Sequence, residues 1–259
     1  MLGIKGQVQK ILGEGTHWLI KEIKLELPII IHKIIYDSVV CKFPKRSISD
    51  ITKNLSIYKV IRNANLPTLS FLEHGLFKNE ECLVAENICN KDDFFVSANT
   101  LRNIPDLTYL ILHPEARNFI KPLNETFLAQ NKIENIANLE SFCCDLKKLA
   151  YRVGENGIGL CPNALFLGVN KQSYNLLTSC IIADFDCILT NIDNQNETDI
   201  NKLLNCNMHN IGTTLCEFLS FFVKNERKQE YTNYVNKFFN LATTSRLHHG
   251  STTLKTERL

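Results

Sequence analysis

The pattern of apolar and polar positions predicts a strand-rich beginning of the chain. Apolar and polar residues alternate over 8–26, and 29–43 is rich in isoleucine and valine, so both stretches are predicted as strands. The residues that follow have apolar side chains at helical spacing. They predict a helix that begins near Ser47 or Ser49 and ends at Asn65-Leu-Pro67.

Two further strands are predicted at 68–72 and 82–86, with a turn at Lys78-Asn-Glu80 between them. Lys91-Asp-Asp93 is predicted to be a linker. We therefore expect the chain to divide into a strand-rich part, 1–90, and a helical part, 91–259.

The second part begins with a strongly amphipathic stretch, 133–153, which predicts a helix. Gly157 in Glu155-Asn-Gly157 is expected to close this helix, because glycine accepts the left-handed conformation of a helix end. The other predicted elements are two strands, 165–169 and 179–183, and two helices, 197–227 and 229–242, before a polar tail, 243–259.

Composition is that of an ordinary globular protein, with 44% hydrophobic and 22% charged residues in 259. The net charge of +2 gives no reason to expect nucleic acid or an anionic membrane as the main partner. The apolar run at 27–35 is too short and too polar to span a membrane. Ten cysteines without a disulfide-like spacing or a signal peptide are expected to be reduced core residues of a cytoplasmic protein.

Two features of the first part have a candidate chemical role. Gly13 and Gly15 lie between two predicted strands, where glycines allow backbone amides to approach a phosphate, although an ordinary hairpin turn explains the same pattern. Lys42 ends the apolar run Val39-Val-Cys, so it is a candidate phosphate ligand or a surface lysine at a strand end.

A second pair of features lies in the other part. Asn163 precedes a predicted strand, and the next strand runs directly into Asp184-Phe-Asp186. A carboxylate at the end of a strand is suited to binding magnesium. The alternative for Asp184 is a solvated turn aspartate, and Asp186 is a second metal contact or a side chain that caps the turn.

Taken in order, these pieces resemble the nucleotide-binding parts of the protein-kinase fold. The resemblance implies a two-lobed α+β fold with a shortened helical C-lobe, of the kind found in compact bacterial effector kinases. It also implies ATP and Mg²⁺ between the lobes, with Lys42 on the phosphates, Asp184 and Asn163 at the metal, and the backbone at Glu86 beside adenine. A bacterial effector of this kind is delivered into a host cytosol.

The chain departs from the kinase pattern at several positions. Trp18 stands where the third glycine is expected, and Asp186 stands where the last residue of Asp-Phe-Gly is expected. The helix glutamate would fall at or near Asn54, yet no glutamate occurs between Glu26 and Glu73. The catalytic aspartate position is Ile158, and no acidic residue lies between Glu155 and Asp184.

Two functional classes follow from these observations. The first is a degenerate phosphotransferase that moves phosphate, or AMP, to a protein substrate, with Asp186 assisting the nucleophile. The second is a pseudokinase, a scaffold that presents a surface to a protein partner without catalysis. A third explanation is an unrelated α+β domain in which the motifs coincide by chance. It is favoured if Lys42 and Asp184 lie on opposite surfaces.

Overall fold

The computed structural model describes residues 1–14, 17–45, 47, 49–88, 93–97, 133–170, 172–186, 188–190 and 197–241. These residues form a mixed α+β structure with a six-stranded sheet, a three-stranded sheet and four α-helices. The strands are β1 (Leu2–Ile4), β2 (Gly6–Glu14), β3 (Trp18–Ile31), β4 (Ile34–Pro44), β5 (Leu72–Phe77), β6 (Glu80–Ala85), β7 (Asp93–Ser97), β8 (Leu165–Asn170) and β9 (Leu177–Ile182). The helices are α1 (Ser49–Asn63), α2 (Leu139–Glu155), α3 (Glu197–Phe222) and α4 (Asn225–Phe238).

The six-stranded sheet has the order β1-β5-β6-β4-β3-β2, and its neighbours are antiparallel except for the parallel pair β1 and β5. Two of its hairpins have a two-residue turn with positive φ at both positions. These turns are His32-Lys33 (51° and 68°) and Lys78-Asn79 (50° and 67°). This backbone conformation matches the right-handed twist of the flanking strands.

Helix α1 connects β4 to β5 and packs its apolar face against the sheet and the helices of the second part. Ile51, Tyr58 and Ile61 on the predicted apolar face are buried. The helix ends where Asn65 adopts a left-handed conformation (φ 52°) and Leu66 N–H donates to the Ile61 carbonyl oxygen (3.2 Å).

The two faces of the six-stranded sheet belong to two different apolar clusters. Cys41 and Phe43 on β4 pack in the smaller cluster, on one face. Trp18 and Leu83 lie on the opposite face, which joins α1, α2, α3 and α4 in the larger cluster. Because side chains alternate along a strand, Lys42 shares the face of the larger cluster.

The second part is built on the antiparallel sheet β7-β8-β9, against which the C-terminal helices pack. A parallel bridge between Thr68 and Ile182 connects this sheet to the segment after α1. The end of α2 is as predicted, since Gly157 has φ 64° and its N–H donates to the Gly154 carbonyl oxygen (2.9 Å).

Helix α2 begins at Leu139, so the prediction of a helix from 133 is wrong at its start. The residues before it bond to other segments instead of to each other. Ile133 N–H donates to Phe222 O (3.0 Å), Ile136 N–H to the Tyr231 hydroxyl (3.1 Å), and Ala137 N–H to Asn175 O (2.9 Å).

Two other predicted boundaries are also wrong. The break between the last two helices falls at Val223 and Lys224, because Ile133 bridges to Val223 and Lys224 N–H donates to Ile133 O (2.9 Å). Strand β5 begins at Leu72 and continues to the turn, so the predicted strand 68–72 is displaced. The predicted linker 91–93 lies mainly outside the described residues, and the tail 243–259 lies wholly outside them.

Half of the described cysteines, Cys41, Cys82, Cys143 and Cys180, are buried as expected for core residues, whereas Cys144 and Cys206 are exposed. Burial raises the pKa of Cys143 and of Cys180 to about 12, so both remain protonated at neutral pH. Cys161, however, is held in a disulfide bond, so the expectation that the cysteines are reduced is wrong there. Of the helices that the structure describes, none offers a stretch with the length and apolar character that a bilayer crossing requires.

Candidate functional site

Lys42 and the Asp-Phe-Asp turn meet on one side of the six-stranded sheet. The Lys42 ammonium is partly buried, and Nζ lies 3.4 Å from the carbonyl oxygen of Ala183, the residue directly before Asp184. Lys42 and Ala183 are 141 positions apart in sequence, and the fold brings them into contact. Opposite surfaces for Lys42 and Asp184 would have contradicted the kinase resemblance, and the contact of Lys42 with Ala183 does not place them there.

The turn that carries Asp184 is fixed by its backbone and by its central side chain. The N–H groups of Ala183 and Asp184 both donate to the Ala164 carbonyl oxygen, at 3.0 and 3.4 Å. Phe185 is fully buried, and its ring meets the Tyr58 ring of α1 edge to face at a centroid distance of 5.9 Å. These contacts attach the turn to α1 and to the 3₁₀ turn that precedes β8.

The electrostatic environment of Asp184 disfavours its ionised form. Burial is the main cause and raises the pKa of this carboxyl, and the neighbouring Asp186 charge raises it further. Lys42 and His17 act in the opposite direction without cancelling the burial. A positive charge placed beside this carboxyl would favour its ionised form.

Asp186 accepts hydrogen bonds at both carboxylate oxygens. Trp18 Nε1 of β3 donates to Oδ2 (2.7 Å), and Asn54 Nδ2 of α1 donates to Oδ1 (2.9 Å). Lys53 Nζ lies 3.4 Å from the Asp186 backbone carbonyl oxygen. The side chain therefore joins the turn to the sheet and to the helix.

Asn54 lies where the kinase pattern has a glutamate, and it is buried, with 1% of its surface exposed. Its Nδ2 also donates to the Asp50 carbonyl oxygen, at 3.0 Å, so the amide is held on α1. Its Oδ1 is buried without a hydrogen-bond partner in the described part of the chain. The residue contacts Asp186 through its donor atoms.

The glycine pair and Asn163 are described only in part. Gly13 pairs with Ile20 in the β2–β3 ladder, whereas Gly15 lies outside the described residues. Asn163 lies in the 3₁₀ turn Pro162–Ala164, and the last residue of that turn is the one that receives the Ala183 and Asp184 amides. This places the backbone of the Asn163 segment beside the Asp184 turn.

Glu86 directly follows β6 and is buried, with 5% of its surface exposed. Its Oε1 accepts from Ser70 N–H (2.5 Å), so the carboxylate ties the end of β6 to the segment before β5. Next to it, the Asn87 amide donates to the buried carboxylate of Glu22 (2.7 Å). The role of the Glu86 backbone beside adenine stays a prediction.

The described residues offer few carboxylates to a metal ion. No cluster of three or more His, Cys, Asp or Glu side chains able to hold a metal occurs among the described residues. Magnesium usually keeps several waters and takes one or two protein carboxylates together with phosphate oxygens. Asp184 can supply one such carboxylate, whereas both oxygens of Asp186 already accept hydrogen bonds.

The sequence pattern indicates Lys42, Asp184 and Asp186 as candidates, but it gives no indication that Trp18 and Asn54 contact Asp186. In the sequence these two residues stand out only as departures from the kinase pattern. One signal is present in the sequence: Trp18, Asn54 and Asp186 each have a side chain that can form a hydrogen bond, at positions where the kinase pattern has glycine or glutamate. Comparison of the chain with protein-family models gave no match, and comparison with curated protein sequences gave none either.

Proposed function

We propose that this chain is a degenerate kinase-like protein that binds Mg²⁺-ATP between the six-stranded sheet and the turn after β9. The observation that carries the proposal is the meeting of Lys42 with the Ala183–Asp184 backbone, with Nζ 3.4 Å from Ala183 O. An ammonium on a sheet and a carboxylate on a turn are the complementary charges that a metal-bound triphosphate requires.

Each side chain has a distinct part in this proposal. Lys42 neutralises phosphate charge from the sheet side, and Asp184 holds the magnesium from the opposite side. A bound magnesium ion would neutralise phosphate charge and would offset the energetic cost of burying the ionised Asp184 carboxylate. Asn163 completes the metal site from the 3₁₀ turn before β8, as the kinase resemblance implies.

The proposed nucleotide site is compatible with two functions, one catalytic and one not. A degenerate phosphotransferase moves phosphate or AMP to a protein substrate, relying on positioning and charge neutralisation. A pseudokinase instead uses the same fold as a scaffold for a protein partner. Two observations favour the scaffold: no acidic residue lies between Glu155 and Asp184, and the Asp186 carboxylate already accepts two hydrogen bonds.

Thermal unfolding with and without Mg²⁺-ATP tests the binding. Ligand at about 100 times its dissociation constant adds about 2.7 kcal/mol, which is a rise of about 5–10 °C for a chain of this size. We expect the rise in the wild type and its loss in Lys42→Ala and Asp184→Asn, each compared with its own ligand-free midpoint. Lys21→Ala is the matched control, because Lys21 pairs with Cys41 on the opposite face of the same sheet.

The outcomes separate the explanations. A magnesium-dependent rise that Lys21→Ala keeps and the two site variants lose supports the nucleotide site. Mass spectrometry of candidate proteins incubated with the chain and Mg²⁺-ATP then distinguishes a transferase from a scaffold, since phosphate and AMP add different masses. No rise in the wild type at millimolar ATP contradicts the proposed nucleotide binding.

A further inference from the structure

Asp186 is the point at which three elements of the site meet. Its carboxylate receives the Trp18 indole N–H from β3 and the Asn54 amide from α1, while its own backbone belongs to the turn after β9. Trp18 and Asn54 are 5% and 1% exposed, so both donors are almost completely removed from water. Hydrogen bonds from buried donors to a charged acceptor are among the stronger ones in proteins.

The three residues are also three of the positions at which the chain departs from the kinase pattern. Each departure considered alone is a loss: a missing glycine at Trp18, a missing glutamate at Asn54 and a missing glycine at Asp186. The structure brings Trp18 and Asn54 each within hydrogen-bond distance of the Asp186 carboxylate.

We infer that Asp186 is a positioning residue of the proposed nucleotide site: Trp18 and Asn54 hold its carboxylate, and this fixes the turn that presents Asp184 opposite Lys42. The inference rests on the proposed function. In this arrangement Asp186 acts by holding the turn, with one donor from β3 and one from α1 on its two oxygens, and not by contact with metal or substrate. The connection between α1 and the site runs through Asn54 and Asp186.

The turn is short enough for this anchor to control Asp184. Only Phe185 separates the two aspartates, and its ring is fully buried against Tyr58 of α1. On the other side, Ala183 and Asp184 are held by the Ala164 carbonyl oxygen at 3.0 and 3.4 Å. Releasing Asp186 therefore removes one of the three contacts that hold the turn, and leaves those of the Ala164 carbonyl oxygen and the Phe185 ring.

A double-mutant cycle of Trp18→Phe and Asp186→Asn tests the hydrogen bond between the indole N–H and the carboxylate. In Asp186→Asn, one side-chain oxygen is replaced by a donor, so either the indole or the Asn54 amide loses its acceptor. In the double variant the indole donor is gone, and the remaining oxygen accepts from Asn54. We therefore expect Asp186→Asn to have a large effect in the wild-type background and a smaller one in Trp18→Phe.

The readout is the dissociation constant for ATP measured by calorimetry, with Mg²⁺ and with the metal chelated, at a temperature where every variant is folded. We expect Asp186→Asn to weaken Mg²⁺-ATP binding about tenfold, because a turn with fewer contacts holds Asp184 less firmly for the metal. Metal-free ATP should bind as in the wild type, because Lys42 is unchanged. Asp145→Asn on the exposed face of α2 is the matched control, since its side chain is 69% exposed.

A purely structural role gives a different pattern. It lowers the unfolding temperature of Asp186→Asn and leaves the dissociation constant for Mg²⁺-ATP in the folded state unchanged. That result overturns the inference while leaving the proposed function intact. Equal weakening with and without Mg²⁺ also overturns it, because the effect would not pass through Asp184.

Amide hydrogen exchange of the ligand-free protein separates this inference from the proposed function. If the wild type does not bind Mg²⁺-ATP, the proposed function fails, and exchange at Ala183 and Asp184 decides whether Asp186 still fixes the turn. Exchange about tenfold faster in Asp186→Asn, with the effect reduced in the Trp18→Phe background, supports the positioning. Unchanged exchange overturns it.

Discussion

At the scale of single residues, Asp184 is a source of instability in the ligand-free protein. Its pKa is raised mainly by burial, so the folded state binds a proton more tightly than the unfolded chain does. Stability therefore falls as the pH rises from the unfolded pKa, about 3.9, through the raised pKa of the folded state. At pH values above that window the penalty is fully present.

Asp184→Asn should therefore stabilise the ligand-free protein at pH 7, because the neutral amide is easier to bury than the carboxylate. The difference between variant and wild type should shrink as the pH is lowered towards 4. Urea unfolding at several pH values measures both effects. A variant that is less stable than the wild type at pH 7 would show that the ionised carboxylate has a favourable role in the apo protein.

Gly157 is a second residue with an expected effect on stability, in this case through its backbone conformation. Its φ of 64° lies in the left-handed region, which side chains with a Cβ disfavour. Gly157→Ala should lower the free energy of unfolding by about 1 kcal/mol. Gly3→Ala is the control, because an added Cβ at Gly3 meets no atom within 4 Å, and it should be close to neutral in the same denaturation assay.

At the scale of elements, hydrogen bonds between distant segments set the start of α2, which the apolar periodicity of the sequence places too early. Asn138 directly precedes α2, and its amide pairs with Leu177 of β9 in both directions. Nδ2 donates to Leu177 O (2.7 Å), and Oδ1 accepts from Leu177 N–H (3.0 Å). This pair holds the start of the helix against the three-stranded sheet.

Asn138→Ala should destabilise the protein by about 1–3 kcal/mol, because it leaves two backbone groups of β9 without a partner. Asn156→Ala, at the exposed end of the same helix, should change stability by no more than about 0.5 kcal/mol. Guanidinium unfolding of both variants measures the difference. Equal effects would mean that water replaces the Asn138 amide at no cost.

Local patterns predicted the elements whose partners are near in sequence. The β2–β3–β4 strands, the closing Gly157 and the apolar face of α1 all follow from spacing and turn chemistry. The start of α2 and the break at Val223 could not be predicted, because Ile133 bonds to Phe222 O and its own carbonyl accepts from Lys224. No local pattern records a partner 89 residues away.

The candidate site likewise contains residues that a local pattern indicates and contacts that only the fold shows. Lys42 and Asp184 could be found from strand ends followed by charged residues, a local signal. The contact of Trp18 and Asn54 with Asp186 joins residues that are 168 and 132 positions apart. The sequence shows only that each departs from a pattern, and the fold is needed to show that they meet.

At the scale of the whole molecule, the larger apolar cluster crosses the predicted division at residue 90. It contains Trp18, Tyr58 and Leu83 from the first part together with Phe185 and Leu146 from the second. A shared core of this kind couples the stability of the two parts. The two predicted parts are therefore expected to unfold together.

Heating should give one cooperative transition, with equal calorimetric and van't Hoff enthalpies. Phe185→Ala should lower the free energy of unfolding by about 3–5 kcal/mol, since it opens a cavity in that shared core. The transition should move as a whole to lower temperature in differential scanning calorimetry. Two separated transitions in the wild type would contradict a shared core.

Trp18 is the only tryptophan of the chain, and its indole nitrogen is bonded to the Asp186 carboxylate. The protein therefore contains an intrinsic fluorophore at the junction of the sheet, α1 and the Asp-Phe-Asp turn. Excited selectively, its emission reports this one location without a label. Changes in its emission maximum, or in its quenching by acrylamide, follow any movement of the turn in real time, including during rapid mixing with a nucleotide.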